Sequence, residues 1–148
     1  MAFLSSLDIS GSALTAERLR MDVISDNIAN ANTTRTESGG PYRRKTVVFE
    51  PTGESSFRTM LENNLQTGSS AANGGVKVAA IEEDQSEFST EYDPTNPDAD
   101  EQGYVTMPNV DPIKETLDMM SATRAYDASL TAFNAVKNMA VKALEMGR

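Results

Sequence analysis

Apolar residues near the start of the chain recur at seven-residue intervals, as they do along one face of an α-helix. The residues that share this face are Leu7, Ala13, Leu14, Met21, Ile24, Ile28 and Ala31. A second apolar stripe lies roughly opposite and consists of Ala16, Leu19 and Val23. The pattern predicts a helix from about Ser6 to about Ala31.

The other end of the chain carries a second long helical pattern. Some of its apolar residues recur at seven-residue intervals and others lie beside them, as in a coiled coil. Together they are Met119, Ala122, Tyr126, Leu130, Phe133, Val136, Ala140 and Leu144. A separate group, Ile113, Leu117 and Met120, points to another side of the same helix. Asp111 is predicted to be the N-cap, with Pro112 at the first helical position, and the helix is predicted to run to about Met146.

Both predicted helices therefore have apolar residues on two sides. A helix that rests on a globular core usually has one apolar face, so two such faces indicate contacts on two sides, which one subunit cannot easily supply. We expect the termini to pack against each other and against further copies of this chain or related chains, and to be disordered beforehand. The alternative is a monomeric helical hairpin with a few exposed apolar residues.

Two asparagines, Asn27 and Asn30, lie beside the first apolar seam. A buried amide next to such a seam can select one alignment of two helices over slipped alignments. The alternative for both residues is simple capping at the surface, because asparagine readily bonds to local backbone groups near a helix end.

The residues between the helices predict a small antiparallel sheet. The predicted strands span residues 43–49, 76–81, 87–92 and 103–107. Residues 54–65 are predicted to form a short helix, and residues 67–75 a flexible loop. The fold class is therefore α+β, with a coiled-coil-like pair of terminal helices. One domain is expected, comprising an N-terminal assembly helix (1–34), a small β-rich region (35–108) and a C-terminal assembly helix (109–148).

The net charge of −9 resides in a single stretch of the chain. Residues 82–101 contain nine acidic residues and no basic one, and the 13 remaining acidic residues balance the 13 basic residues elsewhere. This distribution argues against nucleic-acid binding, which depends on cationic groups. A solvated acidic loop is the simplest interpretation. The basic triplet Arg43-Arg44-Lys45 is expected to begin a strand that pairs with the acidic stretch.

The composition also argues against an enzyme. The chain has no histidine and no cysteine, so the commonest general base and the most reactive nucleophile are excluded. No catalytic, metal-binding or cofactor-binding residue is predicted. No apolar run is long enough to span a membrane, and the start of the chain lacks the basic residues of a secretory signal.

Two segments of the chain resemble the paired signatures of bacterial flagellar rod and hook proteins. Residues 14–33 are similar to the amino-terminal signature, centred on NIANANT from Asn27 to Thr33, and residues 109–139 are similar to the carboxy-terminal signature, including Arg124-Ala125-Tyr126. The segments between them resemble the proximal-rod members of this family. Those segments are Gly40 to Lys45, Tyr92-Asp93-Pro94, Asn96 to Asp100 and Gly103-Tyr104-Val105.

This resemblance implies a structural subunit of the proximal rod of the flagellar basal body. Such a subunit would be exported unfolded through the flagellar type III apparatus without a cleavable signal peptide. It would then polymerise through its terminal helices in the periplasm and transmit torque. The implied partners are the rod proteins FlgB, FlgF and FlgG, the rod-to-membrane-ring adaptor FliE and the export gate, with no cofactor, nucleic acid or membrane insertion.

The assembly interface predicted from the helices and the resemblance draws on both termini. Its residues are Leu7, Leu14, Met21, Ile24, Asn27, Ile28, Asn30, Met119, Arg124, Tyr126, Leu130, Phe133, Val136, Ala140 and Leu144. Phe57 and Leu61 have the spacing of a candidate export motif, and two residues that pack on a short helix are the alternative. The competing function is a helical adaptor or chaperone-like binding module of a secretion or motility apparatus.

Overall fold

A computed structural model of the chain describes residues 2–37, 39–52 and 74–147. Two long helices flank four short strands: α1 spans Ala2–Ala29 and α2 spans Pro112–Met146. The strands are β1 (Lys45–Pro51), β2 (Val76–Glu83), β3 (Ser89–Tyr92) and β4 (Tyr104–Met107). The predicted α+β class, with paired terminal helices and a small antiparallel β region, is confirmed.

The two helices pack against each other in antiparallel orientation. Near the end of α1, Asn27 bonds to Glu115 in the first turn of α2. Further along, the Thr123 hydroxyl donates to the Met21 sulfur across 3.7 Å. Ala122 is fully buried, and its small side chain lets the helices approach closely at this point.

The start of α2 has the predicted cap. The Asp111 carboxylate accepts hydrogen bonds from the backbone N–H groups of Ile113 and Lys114, at 2.9 and 3.4 Å, and Pro112 occupies the first turn. These contacts satisfy donors that the helix itself cannot pair. The bounds of α1 differ from the prediction by a few residues at each end, where helix boundaries are least determined by sequence.

The β region consists of two separate two-stranded sheets instead of the single sheet that the alternation predicted. β1 pairs with β2 and β3 pairs with β4, both antiparallel. The segment between the two sheets bonds to residues that flank the strands. The Asp84 N–H donates to the Arg44 carbonyl at 2.8 Å, and the Asn109 amide donates to the Asp84 carbonyl at 3.0 Å and to the Ser86 hydroxyl at 2.9 Å. The expected pairing of the basic triplet with the acidic stretch is confirmed, since Lys45 lies opposite Glu83.

The core lies where α1 contacts both α2 and the β1–β2 sheet. The buried apolar residues of the two helices there are Ala16, Val23, Ile24 and Ala122, and Ala31, Tyr42 and, on β4, Val105 are buried as well. The Ser12 hydroxyl accepts a hydrogen bond from the Val76 N–H at 3.1 Å, which ties β2 to α1. Ala16 and Val23 of the second stripe of α1 are buried within one chain, whereas Ile28 of its first stripe is exposed. The contact of α1 with further subunits therefore stays a prediction.

Several sequence predictions lie outside the described residues. These are the helix over 54–65, residues 67–73 of the predicted loop, and the candidate export residues Phe57 and Leu61. Within the described part of the chain, neither helix contains an apolar stretch long enough to cross a membrane.

Candidate assembly surfaces and a buried polar junction

A polar junction joins both helices to β1 at the centre of the molecule. It consists of Asn27, Tyr42, Arg44, Asn109 and Glu115. Asn27 is fully buried, and its amide nitrogen donates to the Lys45 carbonyl at 2.8 Å and to Glu115 Oε2 at 2.9 Å. Its amide oxygen accepts from the Lys45 N–H at 2.9 Å and from the Tyr42 hydroxyl at 3.0 Å. The full hydrogen-bonding capacity of this side chain is used.

Glu115 brings a negative charge into the same junction. Its side chain is fully buried, and Oε1 accepts a hydrogen bond from Arg44 Nε. The Arg44 guanidinium also contacts Asp118 at 3.1 Å and Asp84 at 3.7 Å. The Arg44 backbone N–H donates to Asn109 Oδ1 at 2.8 Å. The buried charge is thus paired and hydrogen-bonded, as a charge removed from water must be.

Local sequence explains why these side chains meet. Asn27 lies in the last turn of α1, Arg44 immediately precedes β1, and Glu115 lies in the first turn of α2. The amino end of a helix favours a carboxylate because its unpaired N–H groups carry partial positive charge. The junction therefore holds three elements in one arrangement.

The pKa values of two groups in and beside the junction differ from their ordinary values. Desolvation raises the pKa of the Tyr42 hydroxyl above its ordinary value, and the negative charges of Asp26, Glu115 and Glu83 raise it further. Tyr42 therefore stays protonated and donates to Asn27. Hydrogen bonds from Ser86 lower the pKa of the Asp84 carboxyl, and the Arg44 charge contributes to the same shift. Asp84 therefore stays charged beside Arg44 at neutral pH.

The two asparagines that the sequence singled out have different environments. The side chain of Asn27 bridges α1 to α2 and β1, so the surface-capping alternative fails for this residue. Asn30 makes local bonds instead, because its amide donates to the Asp26 carbonyl and its oxygen accepts from the Thr33 hydroxyl. These are the bonds of a residue that ends a helix.

Sequence reasoning did not identify Glu115 as a junction residue. Glu115 lies seven residues before Ala122, so it occupies the face of α2 that packs on α1. A charged residue on a packing face could have indicated this role, because a buried carboxylate is rare unless it is paired. Its partner Arg44 was predicted only as the start of a strand.

The predicted interface residues of α1 lie mainly along its contact with the rest of the chain. Ile24 and Asn27 are buried, and Ile28 is exposed on the outer side. The remaining members are half-buried, and they are Leu7, Leu14, Met21 and Asn30. The pattern thus identified a packing face, most of which contacts other parts of the same chain.

The predicted interface residues of α2 divide into two groups. The half-buried group consists of Met119, Tyr126, Phe133, Val136 and Ala140. The exposed group consists of Arg124, Leu130 and Leu144. The far end of α2 is the more exposed one, because Met139, Val141 and Met146 are also open to solvent.

An apolar stripe on the opposite side of α2 has no partner within the described part of the chain. We call it the outer stripe. Its side chains are 75% exposed at Ile113, 62% at Leu117 and 49% at Met120. The three residues follow each other at helical spacing, and Arg124 continues the same line. The expectation that this group points away from the main seam is confirmed.

Comparisons with known proteins agree with this architecture. Residues 7–35 match the model of the family described as flagella basal body rod protein, and residues 101–146 match that of the flagellar basal body rod FlgEFG protein C-terminal family. The two matches cover α1 beyond its first residues, β4 and the whole of α2, and the two helices meet at the polar junction.

Relatives match the chain over its whole length. The flagellar basal-body rod protein FlgC of Bacillus subtilis is 52% identical, with 100% of each chain covered. FlgC of Borreliella burgdorferi is 43% identical over 97% of each chain, and FlgC of Escherichia coli O157:H7 is 43% identical over 100% of each. The chain belongs to the FlgC family of flagellar basal-body rod proteins, which are structural rod subunits and not enzymes.

Proposed function

We propose that this chain is a subunit of the proximal rod that polymerises through its terminal helices and transmits torque across the periplasm. The observation that carries the proposal is the outer stripe of α2, which leaves three large apolar side chains exposed on one line. Exposed apolar residues grouped in this way are typical of a protein–protein contact. Assembly with other rod proteins follows from membership of the family.

The surfaces of the subunit favour a heterologous contact. The outer stripe lies on α2, whereas the large exposed apolar side chains among those described on α1 are Ile9 and Ile28. Contact between unlike surfaces of successive subunits generates a ring or an open helical array, and a rod requires the helical array. The far end of α2, with Leu144 and Met146 exposed, offers a further contact toward the axis of such an array.

Stiffness is the mechanical property that torque transmission requires. Close-packed helices deform little, so layers of helices from successive subunits resist twisting. Within each subunit the polar junction supports this property, because Asn27 and Glu115 tie both helices to β1. Rotation applied to the helices would therefore carry the β region with it.

The proposed neighbours and location complete this function. We propose FlgB, FlgF and FlgG as neighbouring rod proteins, FliE as the adaptor to the membrane ring, and the flagellar type III export gate as the route to the periplasm without a cleavable signal peptide.

Phe57 and Leu61 are the proposed export motif. Alanine at both positions is expected to abolish export and leave the protein soluble, and unchanged export would contradict that role.

Site-specific crosslinking tests the proposed assembly directly. A photoreactive amino acid replaces Leu117 in cells that assemble flagella, and a matched variant carries it at Ala132, which is exposed and lies about 90° around α2 from the outer stripe. The proposal predicts crosslinks from position 117 to the terminal helices of rod proteins in purified basal bodies. A single small complex of fixed stoichiometry, with no rod protein crosslinked, would support the adaptor instead.

A further inference from the structure

The β3–β4 sheet presents an aromatic face to solvent. Because side chains alternate along a strand, the pairs Thr90–Thr106 and Tyr92–Tyr104 lie on one face. Tyr92 is 64% exposed and Tyr104 46% exposed, whereas Val105 on the opposite face is buried. The two tyrosine rings contact each other edge to face, with centroids 5.3 Å apart. Within the described part of the chain, neither hydroxyl has a hydrogen-bond partner.

The Tyr92 ring is held in place although it is exposed. Gly103 has a φ of +85°, and a Cβ atom there would lie 2.9 Å from Tyr92 Cε2 and 3.3 Å from the Pro94 Cβ. The ring therefore lies directly on the backbone of Gly103. A side chain that is ordered before binding loses less conformational entropy when a partner arrives. The tyrosine pair is thus a preorganised surface.

The segment that joins β3 to β4 carries negative charge. Glu101 lies in this segment, three residues before Tyr104, whereas Glu91 pairs with Val105 and so lies on the opposite face. Glu101 is exposed and has no ion-pair partner among the described residues. Asp98, in contrast, is already paired with Arg35 and accepts a bond from Thr34. The unpaired charge on this surface is therefore negative.

Other aromatic rings near the acidic stretch already have a cation. The Arg43 guanidinium lies 4.3 Å from the centroid of the Phe88 ring, and the Lys45 ammonium lies 5.6 Å from that of Tyr42. The faces of aromatic rings attract cations, and neighbouring carboxylates strengthen this attraction. Tyr92 lies within the acidic stretch and Tyr104 follows it, but neither ring has a cation from the described residues of its own chain.

We infer that the Tyr92–Tyr104 face is a docking surface for a basic segment of a partner protein, with arginine or lysine side chains against the tyrosine rings. Glu101 supplies complementary charge. The outer stripe of α2 is a separate apolar surface, so this contact adds a peripheral partner to the proposed rod assembly. Binding at this face does not require polymerisation, and the isolated chain is sufficient to test it.

The test measures binding of a short fluorescent peptide of alternating arginine and glycine to the purified full-length chain. Replacing both tyrosines, Tyr92→Leu and Tyr104→Leu, keeps apolar bulk over Gly103 but removes the π faces. We expect this variant to bind about tenfold more weakly. We expect Glu101→Gln to weaken binding and to reduce its dependence on salt. Circular dichroism verifies that each variant is folded.

A charge-matched control separates this surface from general acidity. Asp127→Asn removes one exposed carboxylate from α2 and should leave peptide binding unchanged. Equal weakening by this control, or wild-type affinity in the leucine variant, would overturn the inference. A chito-oligosaccharide that binds through the tyrosines, with no peptide binding, would also overturn it by indicating a carbohydrate partner.

Discussion

At the scale of single residues, Glu115 has the strongest predicted effect on stability. Its carboxylate is fully buried and bonds to Arg44 and Asn27. Glu115→Ala leaves the Arg44 guanidinium without its closest partner and removes an acceptor from Asn27. We expect the free energy of unfolding to fall by about 3 kcal/mol, measured by urea denaturation of the full-length chain.

Asp118→Ala is the matched control for Glu115→Ala. Asp118 contacts the same guanidinium at 3.1 Å, but it is half-exposed. Its removal is expected to lower the free energy of unfolding by no more than about 1 kcal/mol, because water screens exposed ion pairs. Equal losses in the two variants would contradict the conclusion that burial makes Glu115 important.

Tyr42 gives the junction a predicted dependence on alkaline pH. Burial raises the pKa of its hydroxyl above the ordinary value of 10.0. Above about pH 10 the unfolded chain loses this proton first and the folded chain retains it, so the free energy of unfolding falls as pH rises through this window. At pH 8 this contribution is fully present.

Urea denaturation between about pH 8 and about pH 11 tests this effect in the wild type and in Tyr42→Phe. At pH 8 the variant should be less stable by about 1 kcal/mol, because it lacks the hydrogen bond to Asn27. The difference should narrow as pH rises, since only the wild type loses the stabilisation of protonated Tyr42. A constant difference would show that Tyr42 does not titrate in this way.

The sequence identified some of the junction and not the rest, for a physical reason. Asn27 was identified because an amide beside an apolar seam breaks a local pattern. Arg44 and Glu115 are separated by 71 positions along the chain, and no local pattern records that they meet. They pair because the first turn of α2 lies beside the start of β1, a contact that is visible only in the folded chain.

At the scale of elements, two glycines should respond oppositely to alanine. Gly103→Ala would place a Cβ atom against the Tyr92 ring in a backbone conformation with φ of +85°. We expect it to lower the free energy of unfolding by about 1 to 2 kcal/mol. Gly11 lies inside α1 with no neighbouring atom within 4 Å of the new Cβ. Gly11→Ala should raise that free energy by about 0.5 to 1 kcal/mol.

Thermal unfolding of the two variants measures both effects under one set of conditions. Comparing the two variants controls for the general effect of exchanging glycine for alanine, because the substitution is the same and only the surroundings of the glycine differ. Stabilisation by Gly103→Ala would contradict the close contact between Tyr92 and the turn at Gly103.

The elements themselves were largely predictable from the sequence. The cap at Asp111 and Pro112 and the four strands follow from local composition, and all appear in the fold. The division into two sheets did not follow, because strand pairing depends on contacts distant in sequence. Asn109 bonds the segment after β2, and nothing in the alternation of the strands indicates that bond.

At the scale of the whole molecule, order should decrease with distance from the polar junction. Glu115 and Ala122 are buried near the start of α2, whereas Met139, Leu144 and Met146 are exposed near its end. Amides with few buried neighbours exchange through local opening. We expect hydrogen exchange in the isolated subunit to be at least about tenfold faster over residues 137–146 than over residues 115–124.

Exchange measured by mass spectrometry at fixed pH tests this gradient, and overlapping peptides along α2 supply the internal comparison. Uniform protection along the helix would contradict it. The sequence predicted termini that are disordered before assembly. One of the two apolar stripes of α1 already packs within its own chain. We therefore expect disorder before assembly only at the helix ends far from the polar junction.

The proposed assembly depends most on the outer stripe, and the number of copies of this chain in purified hook and basal-body particles tests it. Quantitative mass spectrometry compares the wild type with Leu117→Asp and with the control Ala132→Asp, which lies about 90° around α2 from the outer stripe. Leu117 is exposed, so aspartate there should leave the isolated subunit folded. We expect several copies per particle for the wild type and the control, and none for Leu117→Asp. Incorporation of Leu117→Asp at the wild-type copy number would contradict it.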